Sequence, residues 1–525
     1  MKIVFCSLNA SRSHTNLAIR LLKNSLTRAG YSDVTLSEHT EKERSFDVLA
    51  SLVNENADVY GFSTYLWNIR AHLTLAENLK TLLPNTKIVF GGPEVSYTAE
   101  ELLEKHPYID TVLTGEGEES IVTLIKAYEN GESPRILCGA PFADFANTDI
   151  PYDENEIRQG NILYYESARG CPYRCAYCLS GAEEFKTVRA KSQEKTLDDL
   201  RRFEAFDNVK IVKFIDRTFN YDIKRANAIW QAISGEEFTK QYHFEIAASL
   251  LNEDSFAILQ AMPKGKIQLE IGVQSTNPDV LKAINRPDHT ERVLNAIKRL
   301  YTFGNIHIHT DLIVGLPRDT YHSIGKSYDA LAFSCHDLQL GFLKLLKGSP
   351  LYLRQKEYGY RFHCEPPYEV LSSDTLSFAE IAKLKKMETV HERYMNSHRF
   401  TRAMQVLCDG RSPFGLLEAL SDFLPDVTTL SQRDAYVKLL EFDRALGDTS
   451  RRAALVDAIA LDFLLNEQGR IPKEIPHFVM NVQPSDKKRI AERHPELFLP
   501  ATEYYAFHTL GRFAIDRKNK IYFKI

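Results

Sequence analysis

The run Ile162-Leu-Tyr-Tyr-Glu166, followed almost at once by Ala168-Arg-Gly-Cys171-Pro-Tyr-Arg-Cys175-Ala-Tyr-Cys178, decides how this chain is read. Its branched and aromatic residues predict a strand over Ile162–Glu166, and the cysteines follow the carboxyl end of that strand. The spacing is C-x3-C-x2-C, whereas Cys6, Cys138, Cys335, Cys364 and Cys408 are scattered and read as packing residues. In a reducing compartment such a group reads as metal-binding or redox-active rather than as disulfides. Thiolates are the usual ligands of iron–sulfur clusters. A four-iron cluster held by three cysteines keeps one iron open, much as catalytic zinc sites keep an open position. The competing reading is a structural zinc ion with a distant fourth ligand, although no second C-x2-C pair is present. Gly170 permits a sharp turn and Pro172 stiffens the loop.

Downstream, strands are predicted at Lys210–Ile215, His243–Ala247, Gln268–Val273, His307–Ile313 and Leu338–Phe342, with helical segments such as Thr196–Phe206 and Arg292–Tyr301 between them. With the first strand these six units predict a partial (β/α)6 barrel over residues 161–350, whose chemistry sits at the carboxyl ends of its strands. Upstream, residues 1–135 alternate strands at Lys2–Leu8, Asp58–Ser63, Lys87–Phe90 and Asp110–Leu113, and a weaker one at Val34–Ser37, with amphipathic helices. That alternation predicts an α/β, doubly wound parallel sheet. Residues 136–160 lose the pattern and read as a linker. Residues 351–525 read as a mainly helical accessory domain that ends in a β-hairpin over Tyr504–Ile525.

The cysteine spacing, the aromatic Tyr177 before the third thiol and the barrel behind them closely resemble the radical S-adenosylmethionine (SAM) superfamily. The resemblance implies a [4Fe–4S] cluster on Cys171, Cys175 and Cys178, whose open iron chelates SAM. It also implies cleavage of SAM, after transfer of one electron, to a 5′-deoxyadenosyl radical that abstracts hydrogen from substrate. By the same resemblance SAM is expected near Tyr177, near Asp216 after the second strand, near Glu245 in the third and near Gln274 after the fourth. Asp216 has the alternative of pairing with Arg217 or capping a helix, and Glu245 that of facing solvent.

Upstream of such a barrel, Gly91-Gly92-Pro93-Glu94-Val95 and Gly115-Glu116-Gly117-Glu118 together resemble the cobalamin-binding domain of cobalamin-dependent radical SAM enzymes. The implied cobalamin contacts are Gly91, Gly92, Glu94, Val95, Gly115, Glu116 and Gly117. Ser63, Tyr65, Trp67 and Asn68 are expected below the cobalt. The D-x-H-x-x-G of many cobalamin domains is absent; its loop holds Asn9 and, after four residues, His14. An unligated lower cobalt face beside Tyr65 or Trp67 is preferred to ligation by His14, and simple packing is the bland reading of Trp67. The implied architecture is a doubly wound cobalamin-binding domain, a partial radical SAM barrel and a mainly helical accessory domain.

Composition narrows the function classes. Across 525 residues the formal net charge is −5, with 44% hydrophobic and 26% charged residues, as in a folded, water-soluble protein without a general nucleic-acid footprint. No apolar run approaches the length of a membrane span, and no signal peptide is visible, so a cytoplasmic location is expected. No G-x-G-x-x-G follows the first strand, which disfavours a dinucleotide site. The resemblance implies methylation of an unactivated carbon of a small molecule or peptide, with a reductant such as flavodoxin or ferredoxin. The alternatives are a cyclase or rearrangement enzyme without methyl transfer and a non-catalytic cofactor-binding sensor. A methylthiolating RNA enzyme is disfavoured because residues 470–525 are neither strongly basic nor rich in predicted strands.

Overall fold

Six buried residues in a row, Ile3 to Leu8, all apolar but Ser7, make a first strand that is buried on both faces. The computed structural model describes all residues except 182–186, 288, 425, 477, 480–482, 495–501 and 525. Strands β1 (Ile3–Asn9), β2 (Val34–Thr40), β3 (Val59–Ser63), β4 (Lys87–Gly91), β5 (Thr111–Gly115) and β6 (Ile136–Gly139) form one parallel sheet in the order β2-β1-β3-β4-β5-β6. Helices α1 (Leu17–Arg28), α2 (Ser45–Glu55), α3 (Ile69–Leu82), α4 (Ala99–Lys105) and α5 (Gly117–Glu129) connect them. Successive residues of a strand point to opposite faces. Val4, Cys6 and Leu8 join Leu52, Leu75 and Leu79 of α2 and α3 in one core. Ile3 and Phe5 join Ile19, Leu26, Ile121 and Leu124 of α1 and α5 in the other. The strand order reverses between β1 and β3, the switch point at which such sheets leave a crevice beyond their carboxyl ends.

Two expectations change here. Val34–Thr40 is a full seven-residue strand rather than a marginal one. Residues 136–160 are not a patternless linker: Ile136–Gly139 adds the sixth strand, and α6 (Glu154–Gln159) starts with a capping box at Asp153 and Glu156.

The second sheet takes β7 (Ile162–Tyr165), β10 (Ile211–Phe214), β11 (Gln241–Ile246), β12 (Ile267–Gln274), β13 (His307–Val314) and β14 (Asp337–Phe342), in the order β14-β13-β12-β11-β10-β7. The two-residue strands β8 (Ala168–Arg169) and β9 (Arg189–Ala190) pair with each other across the base of the cysteine loop. Helices α7 (Gln193–Glu204), α8 (Ile223–Ile233), α9 (Glu253–Ala261), α10 (Pro278–Ala283) and α11 (Thr290–Phe303) follow the strands. Their packing explains the alternation of the strands. Phe214, Phe244 and Trp230 are fully buried around Phe219, with ring centroids 4.3 to 6.3 Å apart. Burying each such side chain is worth roughly 1.5–3 kcal/mol.

Both sheets, except for residues 337–340 of β14, belong to one compact unit, residues 1–320 with 341–377. A second unit comprises residues 321–340 and 378–525. The barrel boundary expected at residue 350 therefore moves: residues 351–377 go with the sheets, and Tyr321–Leu331 goes with the helices. The second unit is mainly helical, with Phe378–His391, Thr401–Cys408, Pro413–Phe423, Gln432–Leu446 and Arg452–Asn466. Its end is more than a hairpin. Thr502–Phe507, Gly511–Asp516 and Ile521–Lys524 form an antiparallel meander, extended by Phe478–Val479; Ile525, the last residue of the expected hairpin, lies outside the described residues. No helix among the described residues is long and apolar enough to cross a membrane.

The loops at the crevice are fixed by close backbone approaches. Gly92 (φ +120°) lies against the carbonyl of Thr64, and Gly115 (φ +72°) against that of Gly139. A Cβ at Gly115 has no room, and the left-handed region alone costs an ordinary residue about 1–2 kcal/mol. Gly115→Ala is expected to lower the urea midpoint of the whole chain, whereas Gly131→Ala, where no atom lies within 4 Å of a Cβ, is expected to lower it less. Equal midpoints for the two variants would contradict the assignment.

Candidate functional site

The cysteine loop starts where Gly170 (φ +100°) turns the chain away from β8. The described part of the loop is pinned from two sides. The Ala176 N–H donates to the Ile284 carbonyl at 2.8 Å, and the Leu351 N–H donates to the Ala176 carbonyl at 2.7 Å. Cys175 is buried, and Cys171 and Cys178 are partly exposed. Groups suited to thiolates point at the sulfurs. The Thr218 hydroxyl lies 3.7 Å from Cys171 Sγ, and an Arg286 N–H donates to Cys175 Sγ at 3.6 Å. Burial raises the pKa of Cys171, and the Tyr173 backbone N–H and the Thr218 hydroxyl act against that rise. Tyr177 stands beside Cys175, Cys178 and Arg286, where burial keeps its phenol protonated. Among the described residues no group of three or more His, Cys, Asp or Glu side chains is placed to hold one metal ion. A four-iron cluster spreads its thiolates over separate iron atoms, and three sulfurs with cationic and hydroxyl donors fit it.

Asp216 does something other than expected. It is 1% exposed, and its carboxylate accepts from the Ser167 N–H at 2.7 Å and from the Ser167 hydroxyl at 2.5 Å. Burial raises it to about 6, against the pull of Ser167 and of Arg225, which also donates to the Ser167 hydroxyl. Asp216 therefore anchors the chain just before the cysteine loop and does not line the crevice.

The inner faces of the barrel strands are polar. Outward residues such as Leu269, Ile271 and Val273 are buried, while Gln268, Glu270, Gly272 and Gln274 alternate with them. His307, His309 and Asp311 do the same on β13, and Lys213 on β10. His243 stands 3.1 Å from Glu270 and holds its pKa below the usual carboxylate range, against the effect of burial. Glu245, in register beside Glu270, has no such partner among the described contacts, and burial pushes it up to about 7 against the nearby Arg217. Gln274 adopts φ +69°, and its buried side-chain oxygen has no hydrogen-bond partner. Its amide nitrogen lies over Gly272, where a Cβ would collide with it.

A cavity of about 720 Å³ opens at the carboxyl ends of β1, β3, β4 and β5 and runs to the barrel mouth. From the first sheet it is lined by Asn9, His14, Ser63, Tyr65 and Trp67, and by Gly91, Gly92, Gly115, Glu116 and Gly117. From the barrel it receives Tyr164, Glu166, Arg169, Gly170, Arg217 and Glu245. Tyr65 and Trp67 stack flat at 4.5 Å with 6° between their planes. The His14 ring nitrogen and the Tyr164 hydroxyl are hydrogen-bonded at 2.5 Å.

Three of the expected cobalamin contacts lie off this cavity, and of the expected SAM contacts only Glu245 is on its wall. Val95 is a core residue at 1% exposure. Glu94 accepts the Tyr368 hydroxyl at 2.5 Å, and burial raises its pKa. Asn68 is fully buried and ties the loop together, accepting the Tyr65 N–H at 2.7 Å and donating to the Ser63 carbonyl at 3.1 Å. Gly92 and Gly115, both at φ above +70°, make room for neighbouring carbonyls. Conversely, Arg169, Glu166, Tyr164 and Arg217 are at the cavity although sequence reading gave them no role there. The period-two pattern of Ile162–Glu166, which turns Tyr164 and Glu166 to one face, was the available signal.

Residues 6–125 match the B12 binding domain, residues 165–331 the Radical SAM superfamily and residues 356–504 a family described as Protein of unknown function (DUF4080). The chain is similar to the cobalamin-dependent radical SAM methyltransferase TokK of Streptomyces tokunonensis, 28% identical over 391 residues, 67% of this chain and 57% of that protein. Across the first curated relatives it matches, the chain spans from 50% to 68% of their length. Among solved structures it resembles the cobalamin-dependent S-adenosylmethionine radical enzyme OxsB with aqua-cobalamin and S-adenosylmethionine bound. The TM-score is 0.61 and the identity 15%, over 90% of this chain and 77% of that one. The methyltransferase TsrM from Kitasatospora setae, with cobalamin and [4Fe-4S] cluster bound, gives 0.58 at 15% identity, over 72% of this chain and 82% of that one. At these identities the structures speak for the fold alone.

Two substitutions separate cavity from scaffold. Glu245 is protonated in the fold up to about pH 7, against an ordinary value of 4.5. A raised carboxyl pKa means that stability is highest below the ordinary value and falls as pH rises through about 7. In cofactor-free protein, Glu245→Gln is expected to remove that fall, on the order of 2 kcal/mol between pH 5 and pH 8. Urea midpoints at the two pH values measure it, and an unchanged slope would contradict the assignment. Asp216→Asn, by contrast, is expected to lower the midpoint while leaving the affinity for SAM within about twofold, a difference near 0.4 kcal/mol.

Proposed function

The chain belongs with the cobalamin-dependent radical SAM enzymes, and on that premise we propose that it methylates an unactivated carbon of a small molecule or peptide. The observation that carries the reading is the meeting of two parts at one cavity. The crevice of a B12-binding sheet and the mouth of the radical SAM barrel open into the same space, with the cysteine loop beginning at its wall in Gly170.

Cys171, Cys175 and Cys178 would hold the cluster. Arg286 and Thr218 would stabilise thiolate sulfur, and Tyr177 would close off one side. Glu245 and Gln274 would bind SAM: Gln274 brings a buried side-chain oxygen without a partner, which costs about 1–3 kcal/mol until a ligand supplies a donor, and Glu245 brings a carboxyl group on the cavity wall. Gly91, Gly92, Gly115, Glu116 and Gly117 would border cobalamin, with Asn9 and Ser63 at the switch point. The flat Tyr65–Trp67 stack, rather than His14, would face the lower side of the cobalt, because both rings stand on the cavity wall. Bound together, the three groups would supply an electron donor, a radical precursor and a methyl carrier. The protein's own task is then to hold a substrate carbon within their reach and to keep water out. A low-potential reductant, such as flavodoxin or ferredoxin, completes the requirement.

The test is anaerobic purification with iron, sulfide and cobalamin quantified, followed by incubation with SAM and a strong reductant. About four irons and one cobalamin per chain, with 5′-deoxyadenosine released, are expected. Serine at any one of the three cysteines is expected to abolish both the cluster absorbance and the release. Isotope from the SAM methyl group should appear in product. Release of 5′-deoxyadenosine without label transfer would replace methylation with a cyclisation or rearrangement. No release at all would leave a cofactor-binding sensor.

A further inference from the structure

One cation binds carboxylates from both halves of the cavity wall. Arg169 directly precedes Gly170 and Cys171, and its guanidinium meets three carboxylates. Two N–H groups form a fork with Glu166 at 2.8 and 3.1 Å. One reaches Glu116 at 2.8 Å, and another lies 2.8 Å from Glu118. Glu116 and Glu118 belong to the start of α5 in the first sheet's domain; Glu166 and Arg169 belong to the barrel. All four side chains are largely buried, between 6% and 17% exposed.

A second cation completes the arrangement. Arg189, the β-pairing partner of Arg169 on the far side of the cysteine loop, also binds both oxygens of Glu116 and donates to the Phe142 carbonyl at 2.8 Å. The remaining Glu116 acceptor capacity goes to the Phe142 N–H at 2.7 Å. Both guanidinium groups lie over the Phe145 ring, at 4.8 and 6.0 Å. The entry and the exit of the cysteine loop are thus both tied to Glu116.

The geometry points to Arg169 as a positioning residue: it fixes the cysteine loop against the start of α5, and so sets the placement of the cluster relative to cobalamin. This rests on the functional reading above. The chemistry of the contacts suits the task. A planar fork bonded on several edges resists rotation, which a lysine point charge at the same place does not. The same contacts give Glu116 and Glu118 a use that needs no cofactor, so the Gly115-Glu116-Gly117-Glu118 run serves as the carboxylate half of a latch as well as a wall of the crevice.

The test uses the full chain, reconstituted anaerobically with cluster and cobalamin. Arg169→Gln is expected to keep both cofactors at wild-type content. It should nevertheless change the spin–spin broadening between reduced cluster and cob(II)alamin in the electron paramagnetic resonance spectrum. Release of 5′-deoxyadenosine should fall by up to about 10²-fold, the scale of loss for a misplacement near 1 Å. Arg169→Lys should recover part of the rate and little of the broadening pattern. Glu118→Gln neutralises a single carboxylate partner and covers the case in which Arg169→Gln does not fold; a smaller change in the same broadening is expected. Arg169→Gln, or Glu118→Gln in its place, with wild-type broadening and a rate within about twofold of wild type (near 0.4 kcal/mol), would overturn the assignment. Wild-type protein that takes up neither cofactor would instead sink the functional reading, before any variant is compared.

Discussion

The architecture depends on which way the barrel strands turn their apolar residues. Leu269, Ile271 and Val273, like Phe214 and Phe244, face outward under the helices, and the opposite face carries Lys213, His243, Glu245, Glu270, His309 and Asp311. A closed eight-stranded barrel fills its inside with branched apolar layers. An open six-stranded sheet has no such need, because its outer face alone buries enough surface to hold the helices. The inner face is then free to carry charge, and several of these groups are paired: His243 with Glu270 on the neighbouring strand, Lys213 with the same Glu270 from two strands away, and His309 with Asp311 along one strand. Such pairs are weak supports for stability. Their presence therefore reflects what the inner face must bind rather than what keeps the sheet folded.

Much of this was legible in the chain itself. The cysteine spacing marks a cofactor loop, and its place after a strand marks the correct end of the barrel. Alternation over Gln268–Val273 and His307–Ile313 reports strands with one wet face. What sequence could not supply was direction at the strand ends. Asp216 and Glu245 look equivalent as carboxylates close to strand termini, yet one turns back to bind Ser167 and the other faces the cavity. The difference is set by Ser167 and Arg225, residues distant in sequence that no local pattern connects. Ile136–Gly139 escaped notice because it is a four-residue edge strand between prolines 134 and 141, with no fully buried residue to mark it. At the other end of the chain, the turn at Arg517-Lys518-Asn519 was recognisable, while the one at His508–Leu510 has only Gly511 to announce it.

The glycine-rich runs show how a family resemblance and a physical cause can coincide at one residue and differ in meaning. Gly92 and Gly115 lack side chains because the carbonyls of Thr64 and Gly139 occupy that space. Both glycines nevertheless lie at the cavity, so a tight backbone there also leaves the crevice wall low. Glu94 and Val95 follow the first of these runs in sequence and yet leave the cavity, one toward Tyr368 and the other into the core.

The chain's two tryptophans occupy opposite extremes. Trp230 is sealed in the aromatic cluster at 0% exposure, whereas Trp67 stands 55% exposed on the cavity wall, stacked on Tyr65. A strongly absorbing ligand entering that crevice would quench the emission of Trp67, while the indole of Trp230 would keep a blue-shifted signal as an internal reference. The protein thus carries its own optical gauge of occupancy, readable without a label.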